Sequence, residues 1–220
     1  MNPTSMRLRW EAPVGRGHLG KFVRLDPVVP EADATELFAL SHGSPEVEAL
    51  WRFMPYGPFS DVPAMREWLK ASAAVADSIP FVARELPSGR IAGMICYLRL
   101  TAAHGCGELG GIWYPPAFQR TKINTEAVYL LLKHLFEDLG YRRAEWKCHH
   151  LNERSRASAA RLGFVFEGIF RRHMVLKGEN RDTVWFSMLD SEWPGRKANF
   201  ERWLYSVDSP SLTSLNSEPA

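Results

Sequence analysis

The chain has 220 residues, 45% of them hydrophobic and 24% charged, with a formal net charge of +2. This is the balance of a globular protein with one well-buried core, not of a disordered or fibrous chain, and it provides no concentrated basic face for nucleic acid. Cys96, Cys106 and Cys148 are odd in number and lack CxxC spacing, and no apolar run is long enough to span a membrane or serve as a signal peptide; the expectation is a cytoplasmic protein without disulfides, structural zinc, membrane contact or nucleic-acid partner.

Residues 1–19 show no periodicity and read as an extended arm. Lys21–Leu25 alternates as a strand does, and Glu31–Ser41 carries Leu37, Phe38 and Leu40 among acids, as an amphipathic helix would. The aromatic stretch Trp51–Phe59 holds Pro55, Gly57 and Pro58, which forbid a long regular element there. It fits either core packing or a lid. A helix resumes after Asp61. The strands Phe81–Glu85 and Ile91–Leu100 flank the turn Leu86-Pro87-Ser88-Gly89.

Glu108–Tyr114 is the next strand and Ile123–Leu139 the longest helix, stopped by Gly140. Arg143–His150 alternates Ala144, Trp146 and Cys148 with Arg143, Glu145 and Lys147. A short helix, Asn152–Leu162, precedes the strands Phe164–Val175 and Thr183–Leu189. Residues 20–193 therefore read as one domain, 194–206 as a C-terminal helix and 207–220 as a disordered Ser/Pro tail. Consecutive strands early in the chain argue against a doubly wound parallel sheet. The fold class is α/β of the α+β type, a mixed sheet with helices on both faces.

Three features converge on one region. Gly110-Gly111 inside a strand marks a bulge or a close backbone approach, leaving groups near Ile112, Trp113 and Tyr114 free for a ligand. The loop Gln119-Arg120-Thr121-Lys122-Ile123-Asn124-Thr125 opens the long helix, where unpaired N–H groups and the helix dipole suit phosphate. Taken alone, such a loop is better explained by plain capping. Asn152 fits an N-cap, and Ser155, Ser158 and Ala159 make one face of its helix small enough for a bulky chain to lie against.

Together these residues resemble the GNAT superfamily of CoA-dependent N-acyltransferases. The likeness runs from about Lys21 to about Trp193. It sharpens toward the RimJ/RimL-like branch through Asn124-Thr125-Glu126-Ala127, Asn152-x-x-Ser155 and Leu162-Gly163-Phe164-x-x-Glu167-Gly168, and toward a subgroup carrying Lys177-Gly178-x-Asn180-Arg181-Asp182-Thr183-x-Trp185. The resemblance implies a mostly antiparallel sheet splayed between its fourth and fifth strands, with acetyl-CoA as co-substrate in the splay. The family's phosphate loop, Q/R-x-x-G-x-G/A, matches at Gln119; Lys122 and Asn124 stand where glycine and glycine or alanine are usual.

What the resemblance implies chemically is direct attack of a primary amine, on a protein N-terminus or a small molecule, on the acetyl thioester. Glu108 is the expected base, with Glu167 as competitor. Ser155 is expected to serve the CoA sulfur and Asn152 the pantetheine amide; Ile112, Trp113, Tyr114, Gln119, Arg120, Thr121, Lys122, Ile123 and Asn124 complete the cofactor-binding set. Lys122 is open to a phosphate contact of its own. The alternative is a non-catalytic acyl-CoA-binding module, motivated by Lys122 and Asn124. His149-His150 lacks a third ligand at metal spacing, so no metal is expected. The apolar late strands and Trp203 are compatible with a homodimer.

Overall fold

The computed structural model describes residues 10–217, with one sheet whose central strands, Ile79–Glu85 and Ile91–Thr101, are buried on both faces. The strands are β1 (His18–Leu19), β2 (Val23–Pro27), β3 (Ile79–Glu85), β4 (Ile91–Thr101), β5 (Cys106–Trp113), β6 (Arg143–His149), β7 (Val165–Leu176) and β8 (Glu179–Leu189). They form one sheet in the order β1-β2-β3-β4-β5-β6-β8-β7, antiparallel throughout except for the parallel pair β5–β6. This is the mixed, mostly antiparallel sheet expected.

Helices α1 (Pro30–Ser41), α2 (Pro45–Glu48) and α3 (Val62–Ala73) belong to the early chain; α4 (Lys122–Lys133), α5 (Glu153–Arg161), α6 (Trp193–Tyr205) and α7 (Leu212–Ser217) follow β5. Asp61 caps α3 by accepting from the Ala64 N–H at 2.8 Å, and Pro63 occupies its first turn. On one face of the sheet Leu37, Trp51, Met65 and Leu69 pack against Val82, Met94 and Trp113. On the other, Leu131, Leu132, Leu135 and Phe200 pack against Phe81, Ile95, Tyr97 and Ala144. Phe81 and Val82 fall in different cores because successive strand residues face opposite ways. After α4 the chain continues as one π-helical turn, His134–Asp138, before Gly140 turns it at φ +64.

A buried carboxylate ties the ends of the domain together. Glu126 of α4 is fully buried and accepts from the N–H groups of Lys21, Phe22 and Val23 at 2.9, 2.6 and 2.9 Å and from the Tyr205 hydroxyl at 2.9 Å. Gly20 is required beside it, since a Cβ there would stand 2.4 Å from Glu126 Oε2.

Two readings of the termini need correction. Residues 1–9 of the expected arm lie outside the described residues, but Trp10 is buried and donates to the Gly140 carbonyl, and His18–Leu19 adds a strand to β2. The expected disordered tail contains α7, docked through buried Leu212 and Leu215. Its Ser/Pro-rich composition hid an i, i+3 apolar pair, and Asn216 secures the contact by donating to the Arg161 carbonyl at 2.8 Å.

Candidate active site

The site forms where β5 and β6 part. Their parallel pairing covers Cys106–Arg143, Gly107–Ala144 and Glu108–Glu145, and ends there. Beyond it no strand among the described residues pairs with Leu109–Trp113 on the β6 side, so that edge offers backbone groups to something other than a strand. On the β4 side, the register between Met94–Trp113 and Cys96–Gly110 contains one extra β5 residue, a bulge at Gly111. Gly111 has φ +59, and a Cβ there would meet Cys96 Sγ at 2.8 Å and the Tyr56 hydroxyl at 3.3 Å. Gly111 is therefore required on both conformational and steric grounds.

The bulge changes which residues share a face. Simple alternation puts Glu108, Gly110, Ile112 and Tyr114 together; instead Trp113 packs with Trp51 and Met94, and Ile112 and Tyr114 pack with the α4 core. The extra residue has inverted the facing downstream of it. Tyr114 is also less free than expected, because its carbonyl accepts from Gln119 Nε2 at 2.8 Å.

At the apex Glu108 is 4% exposed. Its Oε2 receives Arg99 Nη1 at 2.6 Å and Lys147 Nζ at 3.0 Å. Its Oε1 lies 3.2 Å from the place a Gly110 Cβ would take, over the sheet face that Glu108 and Gly110 share. Lys147 also contacts Glu145 at 3.0 Å and sits 3.8 Å over the Trp185 ring. Neither Arg99 nor Lys147 was among the expected site residues. Lys147 was visible as a polar position on the β6 face that parallel pairing turns toward Glu108; Arg99, at φ +48 beside a register shift, left no such signal.

The competing carboxylate is placed differently. Glu167 accepts both Arg143 Nη1 at 2.7 Å and Nη2 at 2.6 Å, and Ser187 Oγ at 2.7 Å. This fork holds its carboxyl down at about 2, which makes it a poor base.

Across the splay, Asn152 caps α5 by accepting from the Ser155 N–H at 3.1 Å, so its side chain is engaged by its own helix. Ser155 Oγ accepts from Trp146 Nε1 at 3.0 Å, which fixes the hydroxyl at the β6 edge of the cleft. Burial pushes up the thiol of neighbouring Cys148, opposed by its contact with Ser155. Burial pushes Cys96 up to about 12. Neither sulfur is poised as a thiolate nucleophile.

The start of α4 lies just beyond the end of β5. Its N-cap, Thr121, makes no capping bond; the hydroxyl donates to the Phe118 carbonyl at 2.8 Å instead. The first-turn N–H groups of Lys122, Ile123 and Asn124 therefore lack the side-chain cap that α3 and α5 possess. Arg120 is exposed at φ +60, and Asn124 Oδ1 is buried without a partner. The Lys122 amine turns the other way. It donates to the Leu204 carbonyl at 2.6 Å and sits 5.0 Å over the Phe22 ring, so the expected phosphate contact from its charge gives way to an α6 contact. An unpaired strand edge, a bulge that permits close approach and an uncapped helix start form one track that fits a pantetheine arm and its pyrophosphate.

The aromatic stretch serves the core more than a lid. Trp51 is fully buried against Trp113, with ring centroids 5.4 Å apart, while Phe53 reaches His149 at 5.2 Å. Arg171 and Arg172 line an open cavity with His150, Asn180 and Asp182. Among the described residues no group of three His, Cys, Asp or Glu side chains could hold a metal, and no helix is long and apolar enough to cross a membrane.

Comparison with known proteins bears on the family and the fold. A family model described as an acetyltransferase (GNAT) domain matches residues 23–165. A GCN5-related N-acetyltransferase from Brucella melitensis has 36% identity and a TM-score of 0.91, covering 97% of this chain and 99% of that one. A GNAT-family protein from Chromobacterium violaceum ATCC 12472 has 39% identity and a TM-score of 0.82, covering 88% and 96%. YdaF of Bacillus subtilis (strain 168), whose name assigns it provisionally to ribosomal N-acetylation, is 34% identical over 112 residues, which is 51% of this chain and 61% of that relative's length. The chain belongs to the GNAT acetyltransferase family, with the likeness to its RimJ/RimL-like branch that the sequence motifs carry.

Proposed function

We propose that the chain transfers an acetyl group from acetyl-CoA to a primary amine by direct attack. The observation that carries this reading is the position of buried Glu108 at the last paired residue of β5, next to the stretch of strand edge that β6 leaves open. Acetyl-CoA supplies the activated thioester; the chain supplies position, proton transfer and polarisation. Holding amine and carbonyl in line accounts for most of the acceleration. A base contributes roughly 10²–10⁴-fold more.

In the step itself an N–C bond forms and the C–S bond breaks. Glu108 Oε1 takes one proton from the amine, directly or through water, while Arg99 and Lys147 keep Oε2 in place. A free backbone N–H on the β5 edge near Ile112–Tyr114 polarises the carbonyl. The Ser155 hydroxyl, oriented by Trp146, donates its proton to the departing sulfur and recovers one through water as Glu108 releases the proton it took, so one proton leaves the amine and one reaches the thiol with both residues restored. The uncapped N–H groups of Lys122, Ile123 and Asn124 receive the pyrophosphate.

The test is CoA release followed with a thiol reagent across a panel of amines and peptides. Amine-dependent release that falls at least about 100-fold in Glu108→Gln, with the acetyl-CoA KM little changed, is the expected result. Tight acetyl-CoA binding without amine-dependent release on any member would favour a non-catalytic binding module. Release at the wild-type rate in Glu108→Gln would remove Glu108 from the mechanism.

A further inference from the structure

The motif from Lys177 to Trp185 is mostly accounted for by structure. Lys177 donates to the carbonyls of Trp51 at 2.8 Å and Gly57 at 2.7 Å, tying the β7–β8 hairpin to the aromatic stretch. Asp182 accepts from the Arg172 N–H at 2.7 Å, and its carbonyl accepts from the His150 N–H at 3.0 Å. Thr183 pairs with the His173 ring at 3.0 Å.

Arg181 is the exception. It is only 9% exposed, and its Nε is buried without an acceptor among the described residues. Four positions along the same strand face, Trp185 Nε1 is likewise buried without one. Trp185 lies opposite Lys147 in the β6–β8 ladder, so this face is the one that presents Lys147 to Glu108. Burial lowers the Arg181 pKa, while Cys148 and Glu108 act to raise it and Arg99 to lower it. The guanidinium therefore stands within electrostatic reach of the residues at the splay. Arg99 and Lys147 already contact Glu108, whereas Arg181 makes no ion pair of its own among the described residues. Such a group is costly unless something neutralises it.

We infer that Arg181, with the Trp185 indole N–H, receives an anionic group carried by the acceptor, so that the acceptor is an amine bearing a carboxylate or a phosphate. A planar guanidinium offers two parallel donors to either group, and the indole adds a third. The inference rests on the acetyl-transfer reading for the identity of the acceptor, but the anion site can be measured without turnover.

The experiment uses matched pairs: leucine against leucinamide, O-phosphoethanolamine against ethanolamine, and a tripeptide beginning with aspartate against one beginning with alanine. Each is titrated by calorimetry into the full chain saturated with CoA, and assayed for CoA release with acetyl-CoA. The anionic member of at least one pair should bind about 10-fold or more tightly than its neutral partner, and the responding pair tells carboxylate from phosphate. Arg181→Gln should erase that within-pair preference while changing the neutral member and the acetyl-CoA KM by less than about 3-fold; Arg181→Lys should restore part of it. Equal binding within every wild-type pair overturns the inference, as does an Arg181→Gln loss that is the same for both members. If Arg181→Gln does not fold, the wild-type pairs alone decide. Binding that depends on Arg181 without any release would keep the anion site and sink acetyl transfer, whereas release without within-pair preference would do the reverse.

Discussion

Lys147 Nζ lies 3.0 Å from Glu108 Oε2, joining β6 to β5 two residues beyond their last paired position. Both side chains are nearly fully buried, and Lys147 also serves Glu145 and the Trp185 ring. The ion pair thus replaces the ladder where the ladder stops, and holds the splay at a fixed width. It also keeps a carboxylate in the cleft without exposing it to bulk water.

Lys147→Met should therefore cost about 3 kcal/mol, because it leaves Glu108 buried with Arg99 alone. In a double-mutant cycle, Glu108→Gln/Lys147→Met should lose less than the two single changes together, since the double variant buries neither Glu108 without its lysine nor Lys147 without Glu108. Urea unfolding of the four proteins measures this. Additive losses would show that the pair does not act as a bracket.

Glu167 sits in the Arg143 fork, and its behaviour with pH should differ from that of a base. Its carboxyl is held at about 2, below its ordinary value of 4.5, so the folded state binds fewer protons than the unfolded state between those limits. The contribution is complete above about pH 4.5 and disappears as pH falls through about 2. The stability gap between wild type and Glu167→Gln should be present at pH 7 and close on acidification. Turnover at pH 7 should stay within about 3-fold of wild type. A gap independent of pH would mean that the ion pair is not its source.

Much of this was legible from periodicity. The α4 stripe and the Ala144, Trp146, Cys148 alternation follow from repeats of 3.6 and 2, and the β3–β4 hairpin from the turn Leu86-Pro87-Ser88-Gly89 between two apolar runs. Gly110-Gly111 announced a bulge, but not the exchange of facing between Trp113 and Tyr114 that it causes. His18–Leu19 is too short to alternate, and α7 hides in tail-like composition. Lys147 could be read only as one member of an alternating face and Arg181 only as part of a motif, because a buried charge on a strand looks like an exposed one until its neighbours are known. At the phosphate loop, sequence could place Lys122 beside the helix start but not show which way its amine would turn.

That direction makes a separable prediction for Lys122. With Nζ on the Leu204 carbonyl and over the Phe22 ring, Lys122→Met should lower Tm by loosening α6. It should leave the acetyl-CoA KM within about 2-fold, because the backbone N–H at this position survives the change. A KM rise of about 10-fold with unchanged Tm would place the amine on the phosphates instead.

Gly111 provides the most local test of the splay. An alanine there meets two separate obstacles: a left-handed φ of +59, costing about 1–2 kcal/mol for a residue with a Cβ, and the Cys96 sulfur 2.8 Å away. Neither can relax without moving β5 against β4, which would shift the edge that faces the cleft. Gly111→Ala should therefore raise the acetyl-CoA KM about 10-fold or more and lower Tm. Cys96→Ala on that background removes the steric obstacle but not the conformational one, so it should recover part of both losses. Full recovery would assign the whole effect to the sulfur contact. No recovery would assign it to backbone conformation. An unchanged KM in Gly111→Ala would show that the bulge shapes the sheet without shaping the cofactor track.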